Sequence, residues 1–273
     1  QTCALPIYIG CSPTWAAVID MIDYSGGDPL SGRLALEIDI EDDGLVFLRY
    51  ITDDPDWIFV NQHQGVPTKN KPADYEGNWP ESMPAVCRHD PAFKDIHDDC
   101  YVCDNDIKNK WGRPNKATPR VWALACLREE VVATADMVGQ DLPDGSKVTD
   151  AMVGRRIGFR DATREVVVTD AEGKPTDETK QERAIVVVNM APNNYFNALD
   201  STYLTYKQIY GDEATICDRD FAVKKTGKEK EVEYTHTPLD VTPNLKPGTE
   251  SWKRYLTAIE EQKIDLAALV ARS

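Results

Sequence analysis

The sequence of 273 residues has no window that approaches eighteen consecutive apolar residues, so no membrane-spanning helix is predicted. It also lacks a surplus of positive charge, because 46 acidic residues outnumber 31 basic ones and give a net charge of −15. Overall charge therefore cannot attach this chain to a polyanion, and any nucleic-acid site must be a local basic surface. Hydrophobic residues make up 41% and charged residues 28%, which is typical of a globular protein rather than a disordered one.

The short motifs of several enzyme classes are absent as well. There is no Walker-type glycine loop, no Gly-x-Ser-x-Gly elbow and no His-Glu-x-x-His. The zinc-deaminase signature requires His-x-Glu and then Pro-Cys-x-x-Cys. This chain has His89-Asp90 preceded by Arg88, and Cys100 preceded by Asp99, so it lacks the signature. The sequence therefore predicts a protein that is not an enzyme.

Cysteines are distributed unevenly along the chain. Gln1 to Ile7, which includes Cys3, resembles one reading frame of a common sequencing adapter; we expect an artefact fused to a truncated reading frame and leave 1–7 out of the fold prediction. Three of the six other cysteines fall within seventeen residues, whereas a secreted disulfide framework would be shorter and denser in cysteine. The isolated ones, predicted to be small buried hydrophobes, are Cys11, Cys126 and Cys217.

Strand signals flank a long segment that has no core pattern. The segment runs from Asn61 to about Arg120 and exceeds ordinary loop lengths, so something other than a hydrophobic core must order it. The predicted strands are Leu34 to Ile40 and Leu45 to Ile51 around a hairpin-type turn, Trp57 to Val60, Val121 to Val132, Ile157 to Val168 around a turn, Ala184 to Met190, and a hairpin of Phe221 to Lys225 with Val232 to His236. The predicted helices are Thr14 to Tyr24, Asn193 to Tyr210 and Ser251 to Val270, the last with Ser251 as its N-cap.

These elements predict a mainly β protein. The expected architecture is an OB-fold-like Greek-key barrel with a large zinc-stabilised insertion and a few helices. In domain terms, we expect a barrel domain over 8–250, a zinc subdomain within it at about 61–118, and a C-terminal amphipathic helix at 251–273.

The clustered cysteines have the spacing of a metal site. Cys100-Tyr-Val-Cys103 lets two thiolates of a tight turn reach one tetrahedral ion, and Cys87 supplies a third sulfur. A histidine would complete a Cys₃His set, as in structural Zn²⁺ sites. His63 is preferred because it follows a strand that would fix it at a sheet edge; the alternatives, in order, are His97 and His89.

A redox-active Cys-x-x-Cys pair with Cys87 as a free thiol is the competing interpretation. Redox pairs usually begin a helix beside a strand, and their thiol pKa is lowered by positive surroundings. Here Asp98 and Asp99 precede Cys100 and would raise its pKa. The sequence therefore favours a closed structural metal site over redox chemistry.

Two segments are basic although the chain is acidic. From Ile107 to Arg120 there are five basic residues, no acidic residue and one tryptophan, Trp111. A second group of lysines lies between Phe221 and Lys230, with Arg219 just before it. Single strands bind through cations that meet phosphates and rings that stack on bases, so both segments are candidates for that role. The alternative is that they are a solvated loop and a charged hairpin face.

Three segments resemble the zinc-containing single-stranded-DNA-binding proteins of tailed phages, of the T-even helix-destabilising type. They are Trp57-Ile-Phe-Val-Asn-Gln-His63 leading to Cys87 and Asp99-Cys100-Tyr-Val-Cys103; Pro119-Arg-Val-Trp-Ala-Leu-Ala-Cys126; and Asp218-Arg-Asp-Phe-Ala-Val-Lys-Lys-Thr-Gly-Lys228 with Tyr234-Thr-His-Thr-Pro-Leu239. The resemblance spans about Leu45 to Pro243.

The resemblance implies a non-catalytic protein that coats single strands in phage DNA replication, recombination and repair. The resemblance also implies a structural Zn²⁺ ion, self-association along the strand and contacts with phage replication proteins. It further implies no membrane contact and a location in the host cytoplasm. The expected phosphate contacts are Arg49, Lys108, Lys110, Arg113, Arg120, Arg219, Lys224, Lys225 and Lys228. The expected stacking residues are Tyr50, Trp57, Trp111 and Phe221, some of which, Phe221 first, are expected to lie in the core instead.

Two other functions compete with this one. A zinc-stabilised virion or assembly protein would work through protein–protein contacts and show no salt-sensitive affinity for DNA. A nuclease would need a second metal site built from carboxylates, and no carboxylates with convincing spacing are found.

Overall fold

The structure is a computed structural model that describes residues 36–38, 40–53, 56–67, 82–91, 99–142, 146–169, 175–211, 214–228, 231–242 and 245–272. The predicted helix over Thr14 to Tyr24, the N-terminal residues 1–7 and Cys11 lie outside these ranges. In the part of the chain that is described, no helix is both long enough and apolar enough to cross a membrane.

The described residues are mainly β, as predicted. The strands are β1 Leu36–Glu37, β2 Leu45–Tyr50, β3 Ile58–Pro67, β4 Ser82–Val86, β5 Thr118–Val132, β6 Arg156–Asp161, β7 Thr163–Thr169, β8 Pro175–Arg183, β9 Ile185–Met190, β10 Arg219–Thr226 and β11 Glu233–Val241. The α-helices are α1 Tyr101–Asp104, α2 Asn197–Tyr210, α3 Glu250–Glu261 and α4 Leu266–Arg272.

Strand β5 organises the larger sheet. Trp122 pairs with β3 on one side and β9 on the other, and Arg128 pairs with β2 and β6. Strands β3 and β2 therefore follow one edge of β5, while β9 and β6 follow the other. The apolar run from Val121 to Cys126 is fully or almost fully buried, as expected for a strand with neighbours on both sides.

The sheet is open, which corrects the predicted closed barrel. Its main path is β1-β9-β5-β2-β10-β11, and among the described residues the end strands β1 and β11 do not pair with each other. The predicted hairpin of the first two strands is also wrong, because β1 pairs in parallel with β9 while β2 pairs with β5 and β10. The tight turn between them does form, with the Gly44 N–H donating to the Glu41 carbonyl at 2.9 Å.

Helix α2 covers the predicted β10–β11 hairpin, and both elements are confirmed. Leu199, Tyr203 and Tyr206 are the buried residues of α2. In the same core the hydroxyl groups of Tyr50 and Tyr195 share a hydrogen bond of 2.8 Å. This polar pair lies inside the main core and helps to explain why Tyr50 is fully buried.

The single C-terminal helix predicted from Ser251 is two helices, α3 and α4. Lys263 has a φ of +52° between them, a left-handed conformation that interrupts a continuous helix. The N-cap is also different from the prediction, because the Thr249 hydroxyl accepts a hydrogen bond from the Trp252 N–H at 3.2 Å. Ser251 is instead the second residue of α3.

Two parts of the β structure were not predicted. Strand β3 continues past Val60 through His63 to Pro67 and pairs with β4, inside the segment that was expected to lack strands. The predicted run from Ile157 to Val168 forms β6 and β7, but β8, which pairs with β7 in a separate two-stranded sheet, was not predicted. The sequence of β8 from Thr176 to Glu182 has no apolar residue, so no hydrophobic alternation marks it.

Candidate metal centre

The structure brings the four predicted metal ligands together. One potential ligand atom from each of His63, Cys87, Cys100 and Cys103 lies within 4.8 Å of all the others. His63, Cys87 and Cys100 are buried, and Cys103 is exposed. This group can hold a metal ion.

The spacing of the donor atoms fits a tetrahedral ion. The Cys100 and Cys103 sulfurs each lie 3.5 Å from His63 Nε2, and the Cys87 and Cys103 sulfurs are 3.8 Å apart. A tetrahedral Zn²⁺ with bonds of about 2.3 Å to sulfur and about 2.05 Å to nitrogen needs S···S edges of about 3.8 Å and S···N edges of about 3.6 Å. These three of the six donor–donor distances match both values, and the other three are below 4.8 Å. Four protein ligands would fill the shell and leave no position for a water.

His63 is oriented for this role by a second contact. Its Nδ1 lies 2.8 Å from the backbone carbonyl oxygen of Asn115. A carbonyl oxygen only accepts, so Nδ1 carries the proton and Nε2 presents its lone pair to the thiols. Burial also lowers the pKa of His63, which favours the neutral imidazole that binds metals.

Backbone contacts fix the cysteines to β3 and α1. The Cys87 N–H donates to the Asn61 carbonyl at 2.8 Å, and buried Asp90 accepts 2.7 Å bonds from the backbone and side chain of Asn61. On the other side, the Cys100 N–H donates to the Asp104 carboxylate at 2.6 Å. Asn61 and Asp90 are supporting residues that sequence reasoning missed, although Asp90 follows Cys87 by three positions, within reach of the same turn.

The thiols differ in how readily they ionise. Burial, then hydrogen bonds with the Cys100 and Cys87 thiols, raises the pKa of Cys103 to about 12. Burial also raises the pKa of Cys87. Burial opposes ionisation of Cys100 too, but backbone hydrogen bonds from Cys103 and Arg88 lower its pKa overall, so the expectation that Asp98 and Asp99 would raise it is wrong. Binding of a cation would displace protons from this group, so metal affinity depends on pH.

Of the two alternative histidines, His89 takes no part in the cluster. His89 is partly exposed and its Nε2 lies 3.3 Å from the Asp104 carboxylate, outside the four-residue group. His97 lies outside the described residues. The isolated cysteines Cys126 and Cys217 are buried, as predicted.

The first basic segment forms a structured loop beside the metal centre. Its exposed side chains are Lys108, Lys110, Trp111, Arg113 and Lys116, which we call the basic loop; Arg120 follows in β5 and is half-buried. Trp111 is 62% exposed, and the Lys110 ammonium lies 5.0 Å from the centre of its ring.

Hydrogen bonds hold the basic loop to β3. The Lys110 N–H donates to the Gly65 carbonyl at 2.8 Å, and the Asn109 side chain accepts from the Trp111 and Arg113 N–H groups at 3.1 Å. Gly65 has a φ of +62°, and a Cβ there would lie 3.1 Å from the Trp111 ring. Any larger residue at Gly65 would therefore strain the backbone and displace the ring.

The predicted hairpin lysines differ in exposure and in whether they contact an acidic residue. Lys224 is exposed in β10, and Lys228 is 72% exposed beyond its end, with its ammonium 4.0 Å from the Asp42 carboxylate. Lys225 contacts the same carboxylate more closely, at 2.8 Å, and the Ile40 carbonyl at 3.0 Å. This contact lowers the pKa of Asp42 and engages the Lys225 ammonium within the fold.

Five predicted DNA contacts lie in the interior, which does not fit that role. The side chains of Tyr50, Trp57 and Phe221 pack in the main hydrophobic core. Arg49 has no exposed surface and donates to Asp220 at 2.7 Å, while Arg219 lies over the Tyr206 ring at 3.5 Å and donates to Asp218. Because these groups already have partners inside the protein, we remove all five from the candidate surface.

The two basic segments meet the sheet at different points along β5. The basic loop leads into β5 at Thr118. Lys224 pairs with Leu45 of β2, two residues beyond Phe47, which itself pairs with Arg128 of β5. Ten residues of extended strand, about 33 Å, separate Thr118 from Arg128. The structure thus does not join the two segments into one compact patch.

Comparisons with protein-family models, with curated proteins and with solved structures find no match to this chain.

Proposed function

We propose that this protein binds single-stranded DNA without sequence preference, and that a structural Zn²⁺ ion at His63, Cys87, Cys100 and Cys103 holds its main contact surface in place. The basic loop is that surface. It presents four exposed cations and an exposed ring, Lys108, Lys110, Arg113, Lys116 and Trp111, in a chain whose net charge is −15. Cations and a stacking ring at one site are what a phosphate backbone and its bases require.

The contact between His63 and Asn115 is the observation that carries this proposal. The same imidazole faces the thiols through Nε2 and holds the basic loop through Nδ1. An ion at the cluster would fix the ring of His63 and, through it, the Asn115 end of the loop. The zinc assignment rests on the Cys₃His donor set and on tetrahedral spacing, since thiolate and imidazole ligands suit Zn²⁺.

The hairpin lysines would extend this surface. Lys224 and Lys228 are exposed, and a strand running from the basic loop along the sheet would reach them. Half-buried Arg120, at the start of β5, lies along the same course. The proposed role in phage DNA metabolism, with self-association along the strand and replication proteins as partners, rests on the family resemblance alone.

Fluorescence anisotropy with labelled oligo-dT and with a matching duplex, at several salt concentrations, tests the proposal. We expect tight binding to the single strand and weak binding to the duplex. Exchange of Lys108, Lys110 and Arg113 for glutamine removes three phosphate contacts, so the slope of log affinity against log salt should fall by about 2. Trp111→Ala should weaken binding by about 1–3 kcal/mol through loss of stacking.

A charge-matched variant separates the local site from net charge. Exchange of the exposed residues Lys147, Lys253 and Lys263 for glutamine makes the same change in charge away from the basic loop. This control should bind as the unmodified protein does. Equal affinity for single strand and duplex, or equal losses in both triple variants, would refute the proposal. A protein that holds zinc but binds no DNA would point to the virion or assembly role instead.

A further inference from the structure

A large cavity lies away from the metal centre. It has a volume of about 1160 Å³ and is bordered by β6, by the end of β11 and by α3. Strand β6 pairs with β5 between Arg128 and Val132, whereas the basic loop enters β5 at Thr118. Five arginines line it, and we call it the arginine cavity: Arg128, Arg156, Arg160, Arg183 and Arg254.

The floor of the arginine cavity contains more positive than negative charge. Among the described residues, four guanidinium groups share two carboxylates there. Asp161 contacts Arg128, Arg183 and Arg254, and Asp220 contacts Arg49 and Arg128. The arrangement leaves two positive charges in excess. Asp220 and Arg128 are almost fully buried, so solvent screens their charges poorly.

The acidic groups at the rim do little to offset this excess. Arg156 pairs with Glu130 and Arg160 with Glu129, and all four side chains are more than 40% exposed. Asp240, the third aspartate of the lining, is exposed as well. Exposed pairs of this kind are screened and weak, and each adds no net charge.

An anionic ligand would complete the network. A guanidinium presents several donors in a planar fork that matches phosphate oxygens. The Nε atom of Arg254 is buried and has no hydrogen-bond partner among the described residues. This Nε is closed to solvent, but the Arg254 and Arg183 side chains are 33% and 37% exposed, so a ligand would meet their outer N–H groups.

The wall of the cavity adds an aromatic surface. Phe159 lines it, packs against Phe47 with ring centres 4.8 Å apart, and carries the Arg156 guanidinium at 5.2 Å from its own ring centre. The volume of about 1160 Å³ lies above the usual range for small-molecule sites, about 300–1,000 Å³, and far exceeds what a free phosphate ion requires. A ligand in which a phosphate is joined to a flat ring matches the arginines, the aromatic wall and this volume.

We propose that the arginine cavity binds one nucleotide unit, with its phosphate on Arg183 and Arg254 and its base against Phe159. The unit can be a free mononucleotide or part of a single strand. The inference does not depend on the basic loop, because a free mononucleotide would satisfy it even if the proposed DNA binding failed.

Isothermal titration calorimetry on the full chain tests this with four probes: thymidine monophosphate, thymidine, inorganic phosphate and oligo-dT. We expect the mononucleotide to bind more tightly than either thymidine or phosphate. Arg183→Gln and Arg254→Gln should each weaken it by about tenfold or more, since each removes a charged hydrogen bond. Arg155→Gln, at an exposed arginine outside the lining, should leave the affinity unchanged. Arg160→Gln is a further variant that spares the fold, because its side chain is 70% exposed.

The probes also separate the two sources of the nucleotide unit. Binding of oligo-dT but not of the mononucleotide, weakened by Arg254→Gln and not by Arg155→Gln, would support the site and assign it to a strand. Binding of the mononucleotide with the same pattern would assign it to free nucleotide. No binding of any phosphate-bearing probe, or binding that folded Arg183→Gln, Arg254→Gln and Arg160→Gln all leave unchanged, would overturn the proposal.

Discussion

Acid should destabilise this protein through His236. The side chain is only 4% exposed, and neither ring nitrogen has a hydrogen-bond partner among the described residues. The imidazole meets the edge of Tyr195 with ring centres 4.6 Å apart. Because burial disfavours the charged form, the pKa of His236 falls to about 3.

The size of the effect follows from the difference between the folded and unfolded pKa values. A histidine in the unfolded chain has a pKa of about 6.5, so below that pH the unfolded state binds a proton that the folded state excludes. A folded pKa below the unfolded value means that stability is present above pH 6.5 and falls as the pH drops towards 3. Between pH 7 and pH 5 the loss is about 2 kcal/mol, and this figure changes little for any folded pKa below about 4.

The variant His236→Leu isolates this loss. Leucine has a similar volume and no titratable group, so its free energy of unfolding should fall less between pH 7 and pH 5 than that of the unmodified protein, by about 2 kcal/mol. Urea denaturation followed by circular dichroism at several pH values measures the difference. Effects of acid on the metal centre are common to both proteins and cancel. Parallel pH profiles would refute the reasoning, because they would mean that His236 ionises equally in both states.

Two further predictions concern the metal centre and the N-cap of α3. Cys103→Ser should lose bound metal, whereas Cys126→Ser should retain it because Cys126 lies outside the four-residue group; elemental analysis of the purified proteins measures both. Metal retained at full occupancy by Cys103→Ser would exclude the predicted coordination. Thr249→Ala should lower the free energy of unfolding by about 1 kcal/mol, since the Trp252 N–H loses its side-chain acceptor and keeps only the Thr249 carbonyl at 3.1 Å, whereas Ser251→Ala should have almost no effect. Urea denaturation at neutral pH distinguishes them, and a larger effect at Ser251 would contradict the described cap.

The metal ligands could be predicted because their signal is local. Cys-x-x-Cys fixes the relation of Cys100 to Cys103 through one turn, and a Cys₃His set then requires a histidine. The β10–β11 hairpin was predictable for a similar reason, since two short β-rich runs flank a turn with Gly227. In the hairpin, and in the relation of Cys100 to Cys103, residues close in sequence determine the geometry, whereas His63 lies 37 residues from Cys100 and was inferred from its position after a strand.

The buried DNA candidates could not be recognised in this way, because their partners are distant in sequence. Arg49 lies in the interior because it meets Asp220, which is 171 residues away. Tyr50 does so because its hydroxyl meets Tyr195, which is 145 residues away. Residue type gives no indication of either pairing. An arginine or tyrosine is as suited to a phosphate or a base as to an internal partner, and only the tertiary structure decides which it meets.

The basic loop differs from these buried residues and remains the best candidate surface. Its cations and ring fall within nine residues, 108–116, of a segment without acidic residues, so no local partner can neutralise them. Hydrogen bonds to Gly65 and from His63 use backbone atoms of the loop and leave its side chains exposed. Elsewhere the chain places arginines against aspartates in its interior. Because the backbone is anchored while the charged side chains are not, the loop can present them to a ligand with little loss of conformational freedom.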